Sequence, residues 1–291
     1  MHEPPERLGI IGVGLAGAAL AERLLAGGFD VAGYDIRPAQ IEQLRQSGGS
    51  GASSAAEVAA SCRRLFLSLP TSAEAASVLD EILPCLPPGA IVIDTTTGEP
   101  GEIAGFGARL AGRSIAYLDA TIGGSSRQVR DGEAIFICGG DTAAFARCAD
   151  LFALCCRKAF HVGPCGSGAR MKLVLNLVLG LNRAALAEGL EYARACGIDP
   201  AEALEILQAG PAYSCAMDTK GRKMLTGDFE PEARLSQHLK DVRLILAAGE
   251  HCGAKLPLTE VHRALLEQAE AAGYGASDNS AIIQVFRKDQ P

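Results

Sequence analysis

Gly12, Gly14 and Gly17 stand at G-x-G-x-x-G spacing, directly after an apolar run from Leu8 to Val13 and at the head of a helical pattern from Ala16 to Ala26. No other stretch constrains the fold as tightly. A strand that turns sharply into a helix needs one residue without a Cβ at the turn. It needs a second where the backbone must lie open, and a third where helix and sheet close on each other. The helix N-terminus formed there carries unpaired amide hydrogens and a partial positive charge, which suits a pyrophosphate. Gly12, Gly14 and Gly17, with Leu15 and Ala16 between them, are therefore the expected dinucleotide-binding loop.

Asp35 follows the next apolar run, Val31 to Tyr34. It lies near the offset of about 20 residues at which a carboxylate meets a ribose 2′-hydroxyl. Such a carboxylate repels a 2′-phosphate, so NAD is the expected cofactor. Arg37, two residues on, could hold that phosphate, which keeps NADP open.

The first half of the chain continues to alternate short apolar runs with helical stretches. Pro38 to Gln46 reads as a helix. Leu65 to Leu69, Ile91 to Ile93, Ile115 to Leu118 and Ala134 to Ile137 read as strands. Strands separated by helix-length segments imply a parallel sheet with crossover helices. Gly163-Pro164 and Gly166-Ser167-Gly168 break this rhythm, and helix signals then dominate. They cover about 170–195, Pro200 to Ala209, Cys215 to Leu225, Leu235 to His251, Pro257 to Ala272 and Ser277 to Phe286. The expected fold is an N-terminal Rossmann-type, doubly wound α/β sheet over 1–163 and an all-α domain over 164–291. Two domains also suit a chain of 291 residues.

Composition removes several classes of function. A formal charge of −7 lacks the basic stripe that nucleic acid requires. The longest apolar run, Leu173 to Leu181, falls short of the roughly 20 residues of a membrane span and reads as a buried helix. The polar start, Met1 to Glu6, has no signal-peptide core, so a cytoplasmic protein is expected. Ten cysteines are scattered without a Cys-x-x-Cys pair or a nearby histidine cluster, so neither a metal site nor a redox pair is expected. They read as small buried apolar residues in a reducing compartment.

Dinucleotide binding leaves the chemistry open. No Tyr-x-x-x-Lys occurs, and the five histidines show no partnership with an Asp and an Arg. Lys172 and Asn176 do stand out. They are four residues apart, so they share a helix face, and they interrupt an apolar pattern. Two such groups facing an apolar cleft are costly unless paired or used. A partly desolvated lysine is also suited to general acid–base work.

Five stretches together resemble the β-hydroxyacid dehydrogenase family, which includes 3-hydroxyisobutyrate dehydrogenase and tartronate semialdehyde reductase, within the 6-phosphogluconate dehydrogenase-like group. They are Gly12 to Gly17, Asp94 to Pro100, Asp119 to Ser125, Gly166 to Asn176 and Leu239 to Val242. The resemblance implies that Leu69, Pro70 and Thr97 line the cofactor and that Lys172 is the catalytic lysine. It makes Asn176 the substrate-binding companion and lets Lys240 reach both cofactor and substrate. It gives the backbone of Gly123, Gly124 and Ser125 to the substrate carboxylate. The implied substrate is a small anionic hydroxy acid, and the implied assembly a homodimer or homotetramer. Within the Asp119–Ser125 turn three residues depart from the family pattern: Thr121 replaces a proline, Gly123 a serine and Ser125 a glycine; outside it, Ala16 replaces a common methionine. The missing serine hydroxyl at 123 could be supplied from Ser125 or Ser126. Two other readings use the same scaffold, a non-catalytic dinucleotide-binding interaction module and an imine-type reductase.

Overall fold

The computed structural model describes residues 5–287 of the chain; the reading of Met1–Pro4 concerns residues outside that range. The described residues divide into two compact units, one up to Lys172 and one from Leu173.

The first unit is built on eight strands: β1 (Arg7–Ile11), β2 (Asp30–Tyr34), β3 (Ser50–Gly51), β4 (Arg64–Leu67), β5 (Ile91–Asp94), β6 (Ala116–Gly123), β7 (Ile135–Gly140) and β8 (Lys158–His161). They form one sheet in the order β3-β2-β1-β4-β5-β6-β7-β8. Helices α1 (Leu15–Ala26), α2 (Pro38–Gln46), α3 (Ala55–Ser61), α4 (Ser72–Ile82), α5 (Pro100–Ala111), α6 (Ser126–Arg130), α7 (Thr142–Ala146) and α8 (Ala149–Cys155) connect the strands. Alternation along β4 shows why the sheet is covered on both faces. Phe66 enters one core, with Leu20, Leu24 and Phe152, while Leu65 and Leu67 enter another, with Val58, Leu79 and Ile103. A strand apolar on both faces must be sandwiched by helices, and the doubly wound arrangement follows.

One strand departs from the expected parallel sheet. β6 and β7 pair antiparallel, with Thr121 opposite Ile137. The link between them holds only the five-residue helix α6. A parallel return needs a crossover of a dozen or more residues, whereas a short link can only fold the chain back.

The second unit is helical. Helix α9 (Ser167–Ala195) begins in the first unit and continues into the second, followed by α10 (Pro200–Ala209), α11 (Cys215–Thr226), α12 (Leu235–Cys252) and α13 (Pro257–Ala271). Their apolar stripes meet in a core that includes Leu186, Leu190, Leu204, Met224, Leu239 and Leu266. Where a final α-helix is expected from Ser277, the chain forms a 3₁₀ segment over Asn279–Phe286. Asp278 accepts the Ser280 amide at 3.1 Å, a tight start to that segment. Residues 279–283 are all buried, without the one-sided stripe of a surface α-helix. Among the described residues, α9 is long and apolar enough to cross a membrane by length and composition. Its Ala184, Leu186, Ala187 and Leu190 lie in the helical core.

Candidate functional site

In a doubly wound sheet, ligands bind beyond the carboxyl ends of the parallel strands, where the strand order reverses. Here the reversal falls between β1 and β4. The glycine loop follows β1, Asp35 and Arg37 follow β2, Leu69 and Pro70 follow β4, Thr97 follows β5, and Gly123 ends β6. Residues far apart in sequence thus gather along one edge of the first unit.

The loop after β1 is shaped as an open cradle. Gly12 has φ of +90°, a conformation that L side chains rarely adopt. A methyl group on Gly17 would overlap the Gly12 carbonyl oxygen, so α1 can close on the turn only with glycine there. A methyl on Gly14 would meet only Arg37 Nη2, at 3.5 Å. The N-terminus of α1 has neither a side-chain cap nor an acid in its first turn, and Leu15 is 71 % exposed. These free amides and the bare backbone fit the pyrophosphate of a dinucleotide.

Asp35 and Arg37 form a pair. Arg37 Nε donates to Asp35 Oδ1 at 3.2 Å, its amide donates to the same oxygen at 2.9 Å, and the Val13 amide donates to Oδ2 at 2.9 Å. Burial alone would raise the Asp35 pKa. The hydrogen bonds from Arg37 and Val13 outweigh it and hold the carboxyl below its ordinary range. A carboxylate thus stands at the ribose end of the loop.

The threonine run organises the next two segments. Thr95 Oγ1 donates to the Leu67 carbonyl at 2.8 Å, and Thr96 Oγ1 accepts the Leu69 amide at 3.3 Å. Asp94, at the end of β5, accepts the Thr96 amide at 2.8 Å and the Tyr117 hydroxyl at 2.5 Å. Burial pushes the Asp94 carboxyl up to about 6, even against those two donors.

Strand β6 positions the lysine. Asp119 is buried and accepts the amides of Gly166 at 3.1 Å and Ala169 at 2.8 Å, which fixes the start of α9. Its burial raises its pKa despite those bonds. One turn into α9, Lys172 Nζ donates to the Ile122 carbonyl at 2.6 Å. The Nζ of Lys172 therefore sits beside Gly123 and Gly124. Gly123 belongs to extended β6, whereas Gly124 has φ of +151°. Ser125 caps α6 in a full capping box: its hydroxyl accepts the Gln128 amide and its own amide donates to Gln128 Oε1 at 2.9 Å. That amide is engaged within the turn.

The helical unit holds the remaining residues. Buried Asn176 donates from Nδ2 to Asp241 Oδ2 at 2.9 Å, and Lys240 Nζ lies 3.4 Å from Asp241 Oδ1. Asp241 thus orients both Asn176 and Lys240. Asp241 lies in the Leu239–Val242 motif, yet nothing in the sequence assigns it a role. Asp119 and Gln128 were likewise without roles, although a buried carboxylate beside a Gly-rich helix start is a readable signal.

Two family profiles cover most of the chain. The NAD binding domain of 6-phosphogluconate dehydrogenase matches residues 7–163, and the NAD-binding unit of NADP-dependent 3-hydroxyisobutyrate dehydrogenase matches residues 166–286. The chain is 28 % identical to L-threonate dehydrogenase of Cupriavidus necator, over 96 % of this chain and 95 % of that one. It is 29 % identical to 2-(hydroxymethyl)glutarate dehydrogenase of Eubacterium barkeri, over 97 % of this chain and 95 % of that one. A crystal structure of 3-hydroxyisobutyrate dehydrogenase from Salmonella typhimurium superposes with a TM-score of 0.89 at 25 % identity, covering 97 % of this chain and all of the other.

Proposed function

The chain belongs to the nicotinamide-dependent β-hydroxyacid dehydrogenase family, and on that premise we propose that it oxidises or reduces a small β-hydroxy acid with NAD, using Lys172 as general acid–base. The single observation that carries this reading is the 2.6 Å bond from Lys172 Nζ to the Ile122 carbonyl. It holds an amine beside the Gly123–Gly124 turn, on the same strand edge as the dinucleotide cradle.

A bound nicotinamide would accept or supply the hydride. The chain's own residues do the rest. Gly12, Gly14, Leu15, Ala16 and Gly17 hold the pyrophosphate, Asp35 the ribose, and Leu69, Pro70 and Thr97 the nicotinamide end. Lys240 contacts cofactor and substrate. Backbone amides of Gly123 and Gly124 bind the substrate carboxylate, and Asn176, held by Asp241, binds the hydroxyl carbon's substituents. In oxidation the O–H and C–H bonds of one carbon break and a carbonyl forms. Lys172 Nζ takes the proton as the hydride leaves. In reduction Lys172 returns that proton to the nascent alkoxide oxygen.

Gly123 leaves room where the family has a serine, which favours an acid larger than tartronate semialdehyde. The names of two relatives, acting on threonate and on 2-(hydroxymethyl)glutarate, support the larger class. Met171, Val174 and Val178 form an exposed apolar stripe at helical spacing on α9, which supports a homodimer or homotetramer. All ten cysteines are unpaired, consistent with a cytoplasmic home.

Turnover of 3-hydroxyisobutyrate, serine, glycerate, threonate and sulfonate analogues, followed by absorbance of the reduced cofactor, tests the proposal. NAD should outperform NADP in kcat/KM for the best substrate. Lys172→Ala should lower kcat by about 10²–10⁴-fold and leave NAD affinity nearly unchanged. Near-normal turnover in that variant would overturn the assignment of Lys172, and absence of turnover across the panel would favour a binding module.

A further inference from the structure

One buried cation in the helical unit lacks the partners that its burial demands. Arg183 lies on α9, 4 % exposed, and its Nε and Nη1 find no hydrogen-bond acceptor. A guanidinium remains protonated in a protein, so burial cannot be relieved by losing the proton. Unpaired buried N–H groups and an uncompensated buried charge are both strongly unfavourable.

The carboxylate that acts on Arg183 electrostatically is Asp278, and its oxygens are already engaged. Oδ2 accepts from Lys220 Nζ at 2.9 Å and from the amides of Glu232 and Ala233 at 3.1 and 3.2 Å. Oδ1 accepts from the amide and hydroxyl of Ser280 at 3.1 and 2.8 Å. Lys220, itself buried, pairs with Asp278 at 2.9 Å and with Glu232 at 3.2 Å, and neither acid forms an ion pair with Arg183. Among the described residues, no carboxylate forms an ion pair with Arg183.

Among the described residues, the two rings packed against this part of α9 supply no counter-charge. Three residues before Arg183, Gly180 packs against the imidazoles of His238 on α12 and His262 on α13, so closely that a methyl group there would overlap both. The two rings lie 5.3 Å apart between centroids. His262 is 1 % exposed, and its Nε2 has no hydrogen-bond partner. Burial and the nearby Arg183 charge push its pKa down to about 4, so the ring is neutral at neutral pH. Neither ring therefore supplies the negative charge that Arg183 lacks. Water alone could accept the guanidinium hydrogens but would leave the charge unbalanced.

We propose that Arg183 binds a small monovalent inorganic anion, of chloride or bromide size, inside the helical unit. The anion accepts from Nε and Nη1 and balances the charge that Asp278 does not. It acts as a structural ion, independent of the reaction proposed above.

The full-length protein crystallised from bromide tests the site directly. An anomalous bromide peak at hydrogen-bond distance from Arg183 Nε or Nη1 is expected. Ordered water there, without anomalous signal, overturns the proposal. In solution, Tm should rise by a few degrees, on the order of 3 °C, for each tenfold rise in bromide above its Kd, at ionic strength held constant with gluconate. Arg183→Met should abolish that rise and be no less stable than wild type in gluconate alone. A rise that persists in Arg183→Met places the effect elsewhere and overturns the assignment. Should Arg183→Met fail to fold, the wild-type bromide crystal decides alone.

Discussion

Two buried arginines, one in each unit, meet opposite fates. In the sheet unit Arg64 forks to Glu6 and Asp150 and donates to the Arg147 carbonyl at 3.0 Å. Burial pulls its pKa down, but the two carboxylates more than offset that, and its pKa lies above the ordinary value. In the helical unit burial pushes Arg183 down to about 10, with only distant help from Asp278. The contrast reaches beyond these two residues. Among the described residues, the buried side-chain atoms without a hydrogen bond, such as Ser214 Oγ, His262 Nε2 and Asn279 Oδ1, lie in the helical unit. A sheet brings residues 6, 64, 147 and 150 to one point, so polar groups find partners from several segments. A helix offers a fixed stripe, and a polar residue on the inner stripe takes what the facing helix happens to present.

The largest test of this difference removes the satisfied arginine. Arg64→Met leaves Glu6 and Asp150 without their cation and should cost about 3 kcal/mol, since breaking a buried pair strands its partners; both acids are half-exposed, which limits the loss. Urea unfolding measures it, and an unchanged midpoint would dissolve the contrast.

Acid should separate the units by sign. His262 sits at about 4 in the folded chain against an ordinary 6.5. The unfolded chain binds that proton first, so this contribution is present above pH 6.5 and is lost as pH falls toward 4. It amounts to about 3 kcal/mol at most. Asp94 runs the other way. Its folded value of about 6 exceeds the ordinary 3.8. Its contribution is present below about pH 3.8 and is lost as pH rises through 6, with a limit of about 2–3 kcal/mol. Hydrogen exchange between pH 4.5 and 7, corrected for intrinsic rates, should show helical-unit protection rising with pH more steeply than sheet-unit protection. Parallel trends would mean that neither buried group governs its unit.

A smaller contrast lies within the sheet unit, between adjacent glycines. Gly123 is extended, so Gly123→Ser should cost under about 0.5 kcal/mol and shift kcat/KM toward the smaller hydroxy acids. Gly124→Ser must take φ of +151° and crowd Ala134 and Gln128, each 3.2 Å from the added Cβ. It should cost about 1–3 kcal/mol. Equal thermal midpoints for the two variants would refute the distinction, and an unchanged substrate ratio in Gly123→Ser would mean that position 123 does not set substrate size.

What could be read from sequence was whatever depends on near neighbours. The glycine loop, the alternating strands and the Lys172–Asn176 spacing all lie within one or two elements. The reversal of β7 was hidden because it depends on the short link after Gly123, where α6 spans five residues, and the apolar run Ala134 to Ile137 carries no direction. The two-residue β3 lies below the length at which a pattern can register. At the site, Asp35 and Arg37 read as rivals for the ribose end, whereas the fold pairs them. Asp241 and Asp119 were silent because each acts through a partner about 50 residues away or more, 65 in the case of Asn176. Only assembled elements supply such partners.

The grip of Asp119 on the start of α9 also decides how this chain can be cut. A fragment ending at Gly163, where the composition changes, would discard Gly166 and Ala169, the two amides that Asp119 accepts. It would also discard the Gly168 carbonyl that Thr121 reaches at 3.3 Å. A carboxylate in the middle of the sheet would then be stranded in an apolar setting. Such a fragment should be insoluble, while one ending at Lys172 or later keeps every donor that the sheet borrows from the helix. For anyone expressing the nucleotide-binding half alone, the usable terminus lies inside a helix and not in the glycine-rich loop before it.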